Sequence, residues 1–370
     1  MRIFEIRAGE AREHPSPGPL PAAGAPAAGY LWLSLTRGEL QDATAEVQQA
    51  LQRLAGLQLV DLHVSDLLNE QLPSHFDATS QYDLLVIRRL ATGTTAAPAE
   101  PVLRGAGPPA LKRIDTRPVG FAVFDRVLLS VHPEDCAVRD AAAVRLSASA
   151  AQGPALDVRA TSARLPTSPA DLMLRVVNQI VDGYLALRRD LTRQLDHWQA
   201  ELIDPKTRFT NWGALLQSRQ ALHHLDELCE DQRGAMQDWL DAVEALPAPE
   251  APEARREREL LLVRSRDVLE HIERVAHHVR RLEQSAETAV QLHFSVQSHR
   301  TNDIMRVLTV LTAVFLPLNL IAGIFGMNFE FIPLVHKTDG FWIAMGAMLL
   351  IAAILTAVFW RKRYLARTAR

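Results

Sequence analysis

Cysteine is nearly absent from this chain: among 370 residues only Cys136 and Cys229 occur, far apart and in no CxxC pair. That excludes a disulfide scaffold and suits a reduced, cytosolic domain. Excess charge of one sign is lacking too, and a net charge of −3 gives no support to a nucleic-acid binder. No GxxxxGKS/T loop is present, which argues against ATP-driven transport, and no HExxH or Ser/His/Asp arrangement suggests hydrolysis, so the chain does not read as an enzyme. Met1-Arg2-Ile3-Phe4 opens directly into mixed polar sequence without a signal peptide. Three further absences are local. No proline separates Pro252 from Pro317, no glycine falls between Pro252 and Gly323, and no charge interrupts Val307–Phe325 or Phe341–Trp360.

The two uncharged runs set the architecture. Each is about 20 residues, and a helix rising about 1.5 Å per residue then crosses roughly 30 Å, the hydrocarbon thickness of a bilayer. They predict a C-terminal hairpin of two membrane spans. The tail beyond the second run is basic (Arg361, Lys362, Arg363, Arg367, Arg370), and Arg300 and Arg306 precede the first. The connector holds Lys337 against Glu330 and Asp339. Lys and Arg are retained on the cytoplasmic side, so both termini are placed inside and the connector outside. Insertion is directed by these spans themselves. Trp342 and Trp360 bracket the second span as interfacial aromatics.

Before Ala170 the pattern is mixed. Ile3–Ile6, Tyr30–Leu35, Tyr82–Leu90, Val119–Phe124 and Val127–His132 read as strands, being β-branched or aromatic-rich and bounded by Gly, Pro or Asp. Glu39–Leu54 and Val64–Gln71 read as helices, the second capped by Ser65. Pro15–Pro26 and Thr92–Pro109 are loops by composition. Interleaved strands and helices indicate an α/β domain. From Pro169 the character is helical: Asp171–Leu202, then Asn211–Leu246, then a segment without breakers that permits one helix of roughly 70 residues, about 100 Å long. Along it Val268, Ile272, Val275, Val279, Leu282, Ala286, Ala289, His293 and Val296 alternate by four and three, the seam of a stalk packing on a partner. The partner is either the two preceding helices or other copies of the stalk, and the pattern favours the copies. The resulting division is 1–168, a cytosolic α/β domain; 169–253, antiparallel helices; 254–303, stalk; 304–328, first span; 329–340, external loop; 341–360, second span; 361–370, basic tail.

Polar residues repeat on one face of the first span. Asn302, Met305, Thr309, Thr312, Leu316 and Asn319 are spaced three or four apart. Polar groups in a span cost free energy unless a partner helix or water satisfies them. A water-filled path accounts for Thr312 and Asn319 together. Histidines crowd the helices, and His271 and His278 share a face, but no compact Cys/His ligand set accompanies them.

Thr301–Asn328, reading TNDIMRVLTVLTAVFLPLNLIAGIFGMN, resembles the CorA family of divalent-cation channels and transporters. The resemblance rests on Asn before Met, the Leu-Thr pair, Phe-Leu-Pro-Leu, and Ala-Gly-Ile-Phe-Gly-Met-Asn closing the first of two C-terminal spans. It extends more weakly to Arg266-Asp267-Val268, Tyr30–Leu33, Asp66–Asn69, Tyr82–Leu90 and Leu129–His132. It implies a funnel-shaped homopentamer in the inner membrane, with a pore helix from each subunit. Gly326, Met327 and Asn328 then form the selectivity filter. Asn302, Met305, Leu308, Thr309, Thr312, Leu316 and Asn319 line the pore, the first three at a cytosolic constriction. Glu330 and Asp339 stand in the external loop, where Leu334 replaces a usual glutamate. Asp267 matches a regulatory Mg²⁺ ligand between subunits, whose partner has only Glu100 as a candidate. Gln291 replaces another stalk acid. The cargo implied is hydrated Mg²⁺, with Co²⁺ and Ni²⁺ also possible, and the partners are the bilayer and other copies of the chain, not nucleic acid. No resident cofactor is implied beyond regulatory metal. The departure at Leu334 keeps a ZntB-like Zn²⁺ transporter open. From another class, a membrane-tethered coiled-coil protein without a pore fits the stalk.

Overall fold

A computed structural model describes residues 1–7, 10–14, 29–91, 114–151, 165–203, 212–327 and 338–362. The chain divides into two compact units, one of residues 1–201 with 207–287, the other of 202–206 with 288–370.

The first unit is built on a seven-stranded sheet. Its strands are β1 (Arg2–Arg7), β2 (Glu10–His14), β3 (Tyr30–Thr36), β4 (His75–Ala78), β5 (Asp83–Leu90), β6 (Thr116–Val123) and β7 (Val127–His132), in the order β2-β1-β3-β7-β6-β5-β4. Among the described strands only β3 and β7 pair in parallel, with Leu33 opposite Leu129. These central strands are wholly buried, so they read as continuous apolar runs rather than alternating ones. Alternate residues still go to different layers. Trp32, Phe121 and Leu128 join one core, while Leu31, Leu33, Ala122 and Leu129 join the other. Trp32 donates its indole N–H to Ser130 Oγ at 2.7 Å, which satisfies its one polar atom inside the core.

The second core is closed by α1 (Arg37–Asp42), α2 (Thr44–Leu54) and α3 (Asp61–Leu68). The single helix expected over Glu39–Leu54 is two, separated at Ala43. The first opens with a capping box of Thr36 and Glu39, and Thr44 Oγ1 turns back to donate to the Leu40 carbonyl at 2.6 Å. Helix α3 starts earlier than the Ser65 cap predicts. Val60 is its N-cap residue, and the Val60 N–H donates to the Tyr82 hydroxyl at 3.0 Å. A tertiary contact therefore satisfies the N–H of the N-cap residue, where no side-chain cap forms.

The first core lies under α4 (Ala137–Ala151), α5 (Pro169–Ile203), α6 (Trp212–Ala245) and the early part of α7 (Pro252–Phe325). Tyr184 of α5 and Gln232 of α6 both donate to the Arg88 carbonyl of β5, at 2.9 and 2.7 Å. On α7, Val268, Ile272, Val275, Val279, Leu282 and Ala286 are buried in the same core as Leu191 and Leu195 of α5 and Leu225 and Trp239 of α6. Polar contacts tie the faces: Trp239 Nε1 to Ser265 Oγ at 3.0 Å, and Gln199 Nε2 to Ser285 Oγ at 2.6 Å. The preference for copies of the stalk as cover is thus corrected for this stretch. At about 1.5–3 kcal/mol for each large side chain buried, α5 and α6 already satisfy the seam within one chain.

The second unit holds the rest of α7 and α8 (Thr338–Arg361). Both contain windows long and apolar enough to cross a membrane, and those windows are almost entirely exposed, unlike the core helix of a soluble protein. Pro317 sits inside α7 and removes one N–H from the backbone ladder without ending the helix. At the lower end of this unit, His293 Nδ1 lies 2.9 Å from the Leu202 carbonyl.

Candidate functional site

Seven residues expected to line a path occur on one continuous helix. At about 100° per residue, Asn302, Met305, Leu308, Thr309, Thr312, Leu316 and Asn319 fall within roughly a third of the circumference of α7. All are exposed. Thr309 Oγ1 donates to the Met305 carbonyl at 2.7 Å, and Thr312 Oγ1 donates to the Leu308 carbonyl at 2.8 Å. Each hydroxyl spends its only proton on its own helix, leaving lone pairs outward. Toward any donor outside the helix these hydroxyls can only accept. Among apolar neighbours such as Leu308 and Leu316, both more than half exposed, the face is a sparse ladder of neutral oxygens on a greasy helix.

The helix ends at Phe325. The Gly326 N–H donates to the Ala322 carbonyl at 2.9 Å, and the Met327 N–H reaches the Ile324 carbonyl at 3.3 Å. A Cβ at Gly326 would lie 3.1 Å from the Ala322 oxygen, tighter than ordinary contact, so glycine here permits a close backbone approach. Asn328 and Glu330 lie outside the described residues, as do Leu334 and Glu100. Asp339 is exposed in the first turn of α8.

Asp267 sits on α7 in the first unit. Its nearest ionisable partner is His271, whose Nε2 lies 3.8 Å away, and Arg266 pairs instead with Glu244 at 2.7 Å. One carboxylate supplies a single hard-oxygen ligand where Mg²⁺ takes six, so the described residues of one chain do not make a magnesium site here. Nor do the histidines converge. His278 shares a hydrogen bond with Thr192 Oγ1 at 2.9 Å, and its Nδ1 accepts from Arg281 at 3.2 Å. His223 and His224 lie beside Glu227, each at 3.6 Å. Among the described residues no group of three or more His, Cys, Asp or Glu is arranged to hold a metal ion.

One constellation has nucleophile-like residue types and was not foreseen. Cys136 Sγ lies 3.1 Å from His132 Nδ1, and His132 Nε2 lies 2.8 Å from Ser130 Oγ. All three are buried. Burial lowers the His132 pKa to about 3, helped by Arg139, Arg89 and Arg37, and burial raises that of the Cys136 thiol. Both groups are neutral near pH 7, the reverse of an activated thiolate–imidazolium pair, so this is core hydrogen bonding rather than catalysis.

The described geometry is that of an α/β unit, a very long helix with an apolar end and a second apolar helix, with one sparse polar face. Residues 31–363 match the family model described as CorA-like Mg2+ transporter protein. The chain belongs to this CorA-like family. Its similarity to the cobalt/magnesium transport protein CorA of Thermotoga maritima is 26% identity over 194 residues, 52% of each chain. To the magnesium transport protein CorA of Haemophilus influenzae (strain Rd) it is 34% over 102 residues, covering 28% of this chain and 32% of the relative. The matched part of the chain spans about half the length of the Thermotoga relative and less of the other. The fold likeness is broader. The complete structure of the CorA magnesium transporter from Methanocaldococcus jannaschii superposes with a TM-score of 0.65 over 98% of both chains, at 17% identity. The full-length CmaX protein gives a TM-score of 0.61 over 98% and 97%, at 18% identity. CorA-like folds thus extend over the α/β unit and both apolar segments.

Proposed function

We propose that this chain transports divalent cations through a membrane pore, with hydrated Mg²⁺ as the main cargo. The observation that carries the reading is the acceptor face of α7, on a membrane-length exposed helix of a CorA-family chain. A divalent ion holds its water tightly and Mg²⁺ dehydrates reluctantly. The atoms it presents to a wall are water hydrogens, which neutral acceptors bind without trapping the charge. The outward lone pairs of Thr309 and Thr312 suit that role. The Asn328 amide oxygen, one residue past Met327, would serve it at the mouth with Gly326 and Met327 as support. The relatives named above as magnesium or cobalt/magnesium transport proteins agree with this cargo.

A single helix encloses no path, so the reading requires several copies around an axis, and five is the number in this proposal. Segments 304–328 and 341–360 cross the inner membrane, both termini are cytoplasmic, and Glu330 and Asp339 raise the cation concentration outside. Membrane potential drives entry with about 2.3 kcal/mol per charge per 100 mV. Asp267 would hold regulatory metal only together with ligands from a second copy.

The test is flux into proteoliposomes with Mg²⁺ and Zn²⁺ compared, alongside the mass of the detergent-solubilised complex. Saturable Mg²⁺ entry driven by potential, carried by a pentamer, is the expected result. Zinc entry that requires a proton gradient would move the cargo to the ZntB-like alternative. Sealed vesicles and monomeric protein would overturn the reading altogether. The tethered coiled-coil alternative has lost much of its motive, because the stalk seam is covered within the chain.

A further inference from the structure

Where α4, α5 and α7 meet, the first unit contains a cavity of about 500 Å³. That lies in the range of small-molecule sites, about 300–1,000 Å³. Leu146, Leu172, Val176 and Val268 make an apolar lining, while Arg145, Arg264 and Asp267 bring charge to it. The charges do not cancel. Arg264 and Arg175 both contact the buried Asp171, whose carboxylate also accepts from the Thr167 N–H at 3.1 Å. Arg145 has no ion pair among the described residues. Asn178 adds an independent signal: it lines this cavity, and its side-chain oxygen is buried without a hydrogen-bond partner among the described residues. A buried acceptor of this kind costs about 1–3 kcal/mol unless a donor arrives. Desolvation also opposes the charged form of Arg264, which a second counter-ion would relieve.

We propose that this cavity binds a small organic anion, an oxyanion head on an apolar body, with the head at Arg145 and Arg264 and the body against Leu172 and Val268. A donor on the ligand, or one water carried in with it, completes Asn178. A bare inorganic anion would leave the apolar lining unused, and a neutral hydrocarbon would leave the excess positive charge. Because α4, α5 and α7 all contribute, an occupant ties these three helices together. The binding claim is independent of the transport reading, since it is measured without flux.

Calorimetric titration of the full chain in detergent tests it with 1-naphthoate as probe, 1-naphthalenemethanol as the uncharged analogue and acetate as the bare anion, each corrected by a micelle blank. One saturable naphthoate site per chain is expected, with both controls at least tenfold weaker. Arg145→Glu, at an exposed residue, should weaken naphthoate at least tenfold while leaving the melting temperature unchanged. Ala148→Trp, which fills the rim, should do the same. Absence of saturable naphthoate heat, equal binding of the alcohol, or full affinity in both variants would overturn the proposal.

Discussion

Between Val268 and Ala286, α7 buries one seam against α5 and α6, whereas between Asn302 and Phe325 the same helix leaves most of its side chains exposed. The chemistry differs in step. The first stretch sets charged residues opposite an apolar stripe, as a helix does between core and water. The second is apolar nearly all round, with a few neutral acceptors on one face. One stretch is covered inside a single chain, and the other leaves its apolar side chains open. On the proposed reading, lipid and further copies cover the second, and folding and conduction draw on different parts of one continuous element.

Breaking the second stretch should give the largest effect. Asn328→Ala is expected to reduce Mg²⁺ entry into proteoliposomes at least tenfold, with the denaturation midpoint of the first unit unchanged. Unaltered entry would remove the pore reading. The first stretch should answer in the opposite way. Ile272→Ala, at a side chain only 1% exposed, should cost about 2–5 kcal/mol in chemical denaturation. Leu311→Ala, at an exposed position of the same helix, should cost that unit nothing measurable. Similar losses from both would erase the contrast.

The first unit also carries a pH signature. His132 titrates at about 3 when folded and near 6.5 when unfolded, so the unfolded chain binds the extra proton first. Stability from this group is complete above about pH 6.5 and is lost as pH falls toward 3, at no more than about 1.4 kcal/mol per pH unit. His132→Gln should flatten that acid limb in thermal melts between pH 6.5 and 4. The smallest effect is expected at the acceptor ladder. Thr312→Val should lower Mg²⁺ flux a few-fold, Thr312→Ser should restore it, and neither should shift the melting temperature, because among the described residues the hydroxyl bonds only its own helix.

Much of this was legible beforehand, where local pattern and tertiary outcome agree. The central strands around Tyr30–Leu35 and Val127–His132 and the unbroken run to Phe325 emerged within a few residues of their bounds. The misses share a cause. Strands β2 and β4 are the two sheet edges, and their sequences, Glu-Ala-Arg-Glu-His and His-Phe-Asp-Ala, are short and polar, as edge strands are when they resist further pairing. Helix α4 passed unnoticed because small alanines, Ala142 and Ala143, do much of its burying. The cavity beside it draws Arg145, Asn178 and Arg264 from three helices, and no spacing along the chain could announce that set.

Hydropathy and breaker placement alone determined two membrane-length helices, one of them continuous with a stalk, because both properties act through neighbouring residues. Tertiary structure decided what covers the stalk, which partner caps α3 at Val60, and that the Cys136–His132 pair is inert. Each of these depends on which distant side chain arrives to exclude water or share a proton, and that proximity is created only by folding.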